Sequence, residues 1–131
     1  MTKNPLTAAM KILIIDDSDN IRKVLLKGIS KLNIFEKLME ADDVESGYQS
    51  ILKNKPNIII LDLMLKTGNG FEILERLQSV NFNSRVIVYS NFLSKAAIEK
   101  ALETGAYACF DKSSNILDLL EIIQQTAEQE L

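Results

Sequence analysis

Short apolar segments alternate with helical patterns along this chain, and that alternation restricts it to βα units built around a parallel sheet. The segments cover residues 11–15, 35–39, 57–61, 85–89 and 107–111. Three of them contain the runs Ile12-Leu13-Ile14-Ile15, Ile58-Ile59-Ile60-Leu61 and Val86-Ile87-Val88, which are apolar without alternation. Strands covered by helices on both faces read this way, so these three are expected at the centre of the sheet.

The intervening segments carry helical spacing. Ile21, Val24, Leu25, Gly28, Ile29 and Leu32 recur at three and four residues and build one apolar stripe, with Ser18 or Asp19 placed to cap it. Helices are also expected over residues 43–53, 70–79 and 94–103, the last stopped by Gly105. A final helix carries Ile116, Leu119, Leu120 and Ile123 and is entered through Ser113-Ser114-Asn115, whose side chains suit its unpaired N–H groups. At 131 residues the chain is long enough for one domain with a real core. No repeat or linker splits it, so residues 1–9 read as an extension, residues 10–131 as the domain, and no output domain is expected after the last helix.

Composition then narrows the chemistry. A net charge of −3 lacks the basic field that nucleic-acid binding requires, so no direct nucleic-acid partner is expected. The single cysteine, Cys109, forms no internal disulfide, and no signal-peptide or membrane-spanning run is present; a cytoplasmic protein without a membrane role is expected. The chain has no histidine, which excludes a histidine base, a histidine metal ligand and a phosphohistidine donor within it. Chemistry must run on carboxylate, hydroxyl and amine.

In open α/β sheets, ligands bind beyond the carboxyl ends of the strands. There the first segment ends in Asp16-Asp17, the third in Asp62, the fourth in Ser90 and the fifth in Lys112. Taken singly, Asp16-Asp17 reads as a helix-capping pair, Ser90 as a loop hydroxyl and Lys112 as a solvated amine. Asp62 is different, because it interrupts an apolar sequence that resumes with Leu63-Met64-Leu65. Three carboxylates at one edge repel and need a cation. Mg²⁺ answers that need, since it takes one or two carboxylates and accepts phosphate oxygens. With Lys112 it would neutralise a phosphoryl group in transit, leaving Asp62 as the nucleophile.

This pattern closely resembles the response-regulator receiver family, the phosphoacceptor half of two-component signalling, from about Met10 to the C-terminus. The acidic pair matches Asp16-Asp17, the phosphorylated aspartate Asp62, the hydroxyl residue Ser90 and the lysine Lys112; Gly70 and Gly105-Ala106 match the family's glycine positions. The resemblance implies a flavodoxin-like, doubly wound (βα)5 three-layer sandwich with a five-stranded parallel sheet of order 2-1-3-4-5. It implies that Asp17, Asp62 and the backbone carbonyl of Met64 bind Mg²⁺ directly while Asp16 acts largely through water. It also implies a phosphoryl donor on a sensor histidine kinase or phosphotransfer protein.

Four positions depart from the family pattern. Cys109 stands where a switch tyrosine or phenylalanine is usual, and Tyr107, two residues earlier, is expected on the same side of its strand, as a substitute switch or as packing. Asn91 replaces a small alanine beside Ser90 and bears on water access and phosphoryl lifetime. Ser113 replaces a proline, so no cis bond is expected after Lys112, whose aim is open to change. Lys66 replaces another proline, leaving Thr67-Gly68-Asn69-Gly70 to turn a looser loop.

The leading expectation is a phosphoacceptor switch in which Ser90 moves toward the phosphoryl group. A downstream protein or effector domain would then read the face made by the fourth helix, fifth strand and fifth helix. Whether it stands alone or belongs to a larger regulator stays open. The alternative is a phosphorylation-independent interaction module that keeps the fold, motivated by Cys109, Asn91 and Ser113. A Mg²⁺-dependent phosphohydrolase using Asp62 is disfavoured, because Met64 stands where a second acid is needed.

Overall fold

The computed structural model describes residues 10–91 and 93–129. The expected N-terminal extension, residues 1–9, lies outside them. Five parallel strands form the main sheet: β1 (Lys11–Ile15), β2 (Lys37–Ala41), β3 (Ile58–Leu61), β6 (Arg85–Ser90) and β7 (Ala108–Asp111). A hairpin of β4 (Met64–Leu65) and β5 (Gly68–Asn69) follows β3. The helices are α1 (Asp19–Leu32), α2 (Val44–Asn54), α3 (Phe71–Gln78), α4 (Lys95–Glu103) and α5 (Ile116–Gln129). The sheet order is β2-β1-β3-β6-β7, the expected 2-1-3-4-5 arrangement once the hairpin strands are set aside.

Successive side chains of a strand point to opposite faces, and the isoleucine-rich strands therefore serve two cores at once. Leu13, Ile15, Ile59, Leu61, Val86 and Val88 pack against Ile51 of α2, Ile73, Leu74 and Leu77 of α3, and Ala101 of α4. Ile12, Ile14, Ile58, Ile60, Ile87 and Tyr89 pack against Leu25 and Ile29 of α1 and Leu119, Ile123 and Ala127 of α5. This is the three-layer sandwich. Every residue of β3 is buried, so replacing Ile59 with valine removes one methylene from a filled site. The urea midpoint is expected to fall by an amount equivalent to about 0.5–1.5 kcal/mol, with an unchanged m-value.

Capping follows the local sequence. The Ser18 hydroxyl accepts from the amide of Ile21, Asp43 accepts from Ser46, Ser94 accepts from Ala97, and Asn115 accepts from Leu117. Residues 43, 70 and 94, expected inside their helices, are the caps that precede them. The second strand is displaced from the expected residues 35–39. Phe35 is buried beneath the sheet before pairing begins at the register Lys11↔Lys37, so its apolarity serves the core rather than the strand. Among the described residues no helix is long and apolar enough to cross a membrane.

The loop after Asp62 is also tighter than expected. Met64 pairs with Asn69 and Leu65 with Gly68, so Lys66 and Thr67 make the turn, and the amide of Gly70 donates to the carbonyl of Leu63 at 2.9 Å. Gly68, at φ +138°, supplies a backbone conformation that L side chains rarely adopt.

Candidate functional site

Ladder hydrogen bonds run one residue past the strand ends and fix where the polar residues begin. The amide of Asp16 donates to the carbonyl of Ala41 at 3.1 Å, that of Asp62 to Ile15 at 3.0 Å, and that of Lys112 to Ser90 at 2.9 Å. Asp16, Asp62 and Ser90 are buried, and Asp17 lies beside them, partly exposed. One carboxylate oxygen from each of Asp16, Asp17 and Asp62 falls within 4.8 Å of the others.

Asp62 is held on both oxygens. Its Oδ1 accepts from the Ser90 hydroxyl at 2.6 Å and from the amide of Met64 at 3.0 Å; its Oδ2 accepts from Lys112 Nζ at 2.8 Å. The same ammonium reaches Asp16 Oδ2 at 2.7 Å, and Asp16 Oδ1 accepts from the amide of Ser18 at 2.9 Å. Gly70 lets the start of α3 lie against the main chain of Asp62, since a Cβ there would stand 2.5 Å from the carbonyl oxygen of Asp62. A cavity of about 300 Å³ opens over the cluster, lined by Asp17, Ser18, Ile21, Asp62, Met64, Asn91 and Lys112.

Burial pushes the Asp16 carboxyl above its ordinary value, against the opposing pull of Lys112 and the Ser18 amide. For Lys112, burial is the largest single influence and acts toward neutrality, but the hydrogen bonds to Asp16 and Asp62 together with the attraction of their charges outweigh it, and the ammonium is held above the ordinary lysine value. One ammonium among three carboxylates leaves an excess of negative charge. The donors are all hard oxygens around an open cavity, a set that suits Mg²⁺ rather than a soft or nitrogen-seeking metal.

The structure thus brings Asp16, Asp17, Asp62, Ser90 and Lys112 together, with the Met64 amide on Asp62 and the Met64 side chain largely exposed. All described peptide bonds are trans, and Lys112 is aimed at the carboxylates with Ser113 following it. Ser113 instead donates its amide and hydroxyl to Asp111 Oδ1, at 2.8 and 2.7 Å. Cys109 is half-buried against the α2–α4 core, where burial raises its thiol pKa.

Tyr107 does not follow Cys109. Its amide continues the ladder, donating to the carbonyl of Val86 at 2.7 Å, but its side chain leaves the α2–α4 side on which Cys109 packs: its hydroxyl donates to Gln129 Oε1 of α5 at 2.8 Å, and Arg85 stacks 4.7 Å from its ring centre. It ties strand to helix at the end of β7 remote from Lys112.

Two residues escaped sequence reasoning. Asp111 accepts from the amide of Leu93 at 3.3 Å as well as from Ser113, joining the end of β7 to the loop after Ser90. Arg22 donates to the backbone carbonyl of Asp16 at 2.6 Å. The one available signal for Arg22 was an arginine within the first turn of the helix that follows the acidic pair.

Comparison with known proteins agrees with this geometry. Residues 12–124 match the family model described as the response regulator receiver domain. The chain is 34% identical over 97 residues to the sensory transduction protein LytT of Bacillus anthracis, covering 74% of this chain and 39% of that protein. It therefore spans well under half the length of that relative. It is 27% identical over 115 residues to sporulation initiation phosphotransferase F of Bacillus subtilis (strain 168), covering 88% of this chain and 91% of that one. Among solved structures, the signal receiver domain of a DNA binding response regulator protein from Colwellia psychrerythraea 34H superposes with a TM-score of 0.84 at 28% identity. That match covers 91% of this chain and 98% of the other.

Proposed function

The chain belongs to the response-regulator receiver family, a family of phosphoacceptor switches rather than turnover enzymes, and from that premise we propose that Asp62 takes a phosphoryl group from a phosphohistidine. The donor would be a sensor histidine kinase or phosphotransfer protein. The observation that carries the reading is the double hold on Asp62, by Ser90 and the Met64 amide on one oxygen and Lys112 on the other. A carboxylate so fixed is a nucleophile pointed in one direction.

In the transfer, a carboxylate oxygen of Asp62 attacks phosphorus, the P–N bond of the donor breaks, and the leaving imidazole recovers a proton. The product is an acyl phosphate. Ser90 and Lys112 already donate to Asp62, so a short shift carries both donors onto the phosphoryl oxygens as charge builds there. Asp17, Asp62 and the backbone carbonyl of Met64 would hold Mg²⁺ directly, with Asp16 acting largely through water. When bound, the ion supplies positive charge to the phosphoryl oxygens.

Movement of Ser90 would then pull on the loop that Asp111 tethers through Leu93, altering the face of α4, β7 and α5 that a partner reads. Cys109 favours a second reading: with a half-buried thiol in place of an aromatic ring and Tyr107 engaged elsewhere, the domain would be an interaction module indifferent to phosphorylation.

Incubation with acetyl phosphate, followed by intact-mass and peptide spectrometry, separates these readings. One phosphoryl group is expected on Asp62 in Mg²⁺ and none in EDTA. A protein that binds Mg²⁺ by calorimetry yet gains no phosphate overturns the acceptor reading and leaves the interaction module.

A further inference from the structure

Arg22 leaves the first turn of α1 with a side chain only 12% exposed, and each of its three guanidinium nitrogens donates a hydrogen bond in a different direction. Nη1 donates to the backbone carbonyl of Asp16 at 2.6 Å, Nε donates to Glu40 Oε1 of β2 at 2.7 Å, and Nη2 donates to Asp19 Oδ1. The first of these bonds sets Arg22 apart from a surface ion pair, since such pairs hold side chains together and contribute little. Here the fork grips main chain inside the site.

The carbonyl of Asp16 belongs to the same planar peptide as the amide of Asp17. Asp16 is fixed at its own amide by Ala41 and at its carboxylate by Ser18 and Lys112. Without Arg22 the carbonyl would be free to tilt, and the peptide plane with it, which redirects Asp17. We infer that Arg22 is a positioning residue: by clamping the Asp16–Asp17 peptide to β2 through Glu40, it sets the direction in which Asp17 presents its carboxylate to the cation. This rests on the Mg²⁺ reading of the acidic cluster.

The role is geometric. Asp19 and Glu40 offset the guanidinium charge, so Arg22 adds no net positive field to the three carboxylates. A planar fork with several donors can span a carbonyl and two carboxylates, whereas a single ammonium cannot hold all three in those directions. Partners that orient metal ligands in this way typically change affinity when removed, even though they never touch the ion.

Calorimetric titration of the full chain with MgCl₂ tests this directly, using wild type, Arg22→Met, Arg22→Lys and Glu40→Ala, with circular dichroism in EDTA to verify folding. Arg22→Met is expected to weaken Mg²⁺ binding about tenfold. Arg22→Lys should remain weakened to a similar degree, and Glu40→Ala should fall between methionine and wild type. A purely structural role would lower the melting temperature in EDTA and leave the Mg²⁺ affinity of the folded protein alone.

If wild type binds no Mg²⁺, the underlying reading fails and the inference with it. If wild type binds while Arg22→Met and Glu40→Ala stay within about twofold of it, the positioning role is overturned and the Mg²⁺ reading stands. Full recovery by lysine assigns the effect to charge and likewise overturns it. Glu40 is half-exposed on an edge strand, so that variant decides the matter if Arg22→Met does not fold.

Discussion

Replacing Asp62 with asparagine is expected to abolish phosphoryl uptake from acetyl phosphate completely while leaving the protein folded. The amide has nearly the volume of the carboxylate and no anionic oxygen to attack phosphorus. Its oxygen can still accept from Ser90 and the Met64 amide. Its nitrogen then faces Lys112 as donor against donor, and the ammonium turns to Asp16, which it already contacts at 2.7 Å. One carboxylate fewer also relieves crowding among the three acids. Intact-mass spectrometry in saturating Mg²⁺ reads the outcome, with circular dichroism as the folding control. Phosphate appearing on the asparagine variant at the wild-type rate would place the acceptor elsewhere in the chain.

The central strands were legible because a strand covered on both faces must be apolar at every position, and Ile58-Ile59-Ile60-Leu61 has no other reading in an alternating chain. The edge strand was less so. The apolar residues Ile34 and Phe35 precede β2, and within it Lys37 and Glu40 face solvent, so the apolar run marks burial rather than strand limits. The hairpin of β4 and β5 was not legible at all, since two-residue strands have no period to detect.

The acidic site was legible for a topological reason: residues following strands of a parallel sheet share one edge whatever their separation in sequence. That argument finds side chains that meet one another. Arg22 and Asp111 instead act on backbone atoms, the Asp16 carbonyl and the Leu93 amide, and no residue type at a donor or acceptor position in the main chain announces such a contact. Tyr107 shows the same limit in reverse. Counting by twos from Cys109 follows the backbone ladder, which does reach Tyr107, but at the strand's end the ring is drawn to Gln129 of α5 and to Arg85 instead.

Lys112→Met is expected to cost the most in stability, because it leaves Asp16 and Asp62 buried without their ammonium. Removing one partner of a buried ion pair typically destabilises by about 3–5 kcal/mol, a large share of the roughly 5–15 kcal/mol that holds a domain of this size. The loss should be seen in urea denaturation at neutral pH in EDTA. It should shrink in Mg²⁺, which binds the native acidic cluster and stabilises it by mass action. Its dependence on pH follows from Asp16, whose carboxyl lies above its ordinary value even with Lys112 lowering it. Without the ammonium it rises further. A carboxyl whose folded pKa exceeds its unfolded one penalises the native state above the folded pKa, and that penalty vanishes below the unfolded value. The gap between variant and wild type is therefore widest at neutral pH and narrows as pH falls through the raised Asp16 value toward the ordinary aspartate range. Equal urea midpoints for the two proteins at neutral pH without Mg²⁺ would mean that Lys112 does not balance the carboxylates it contacts.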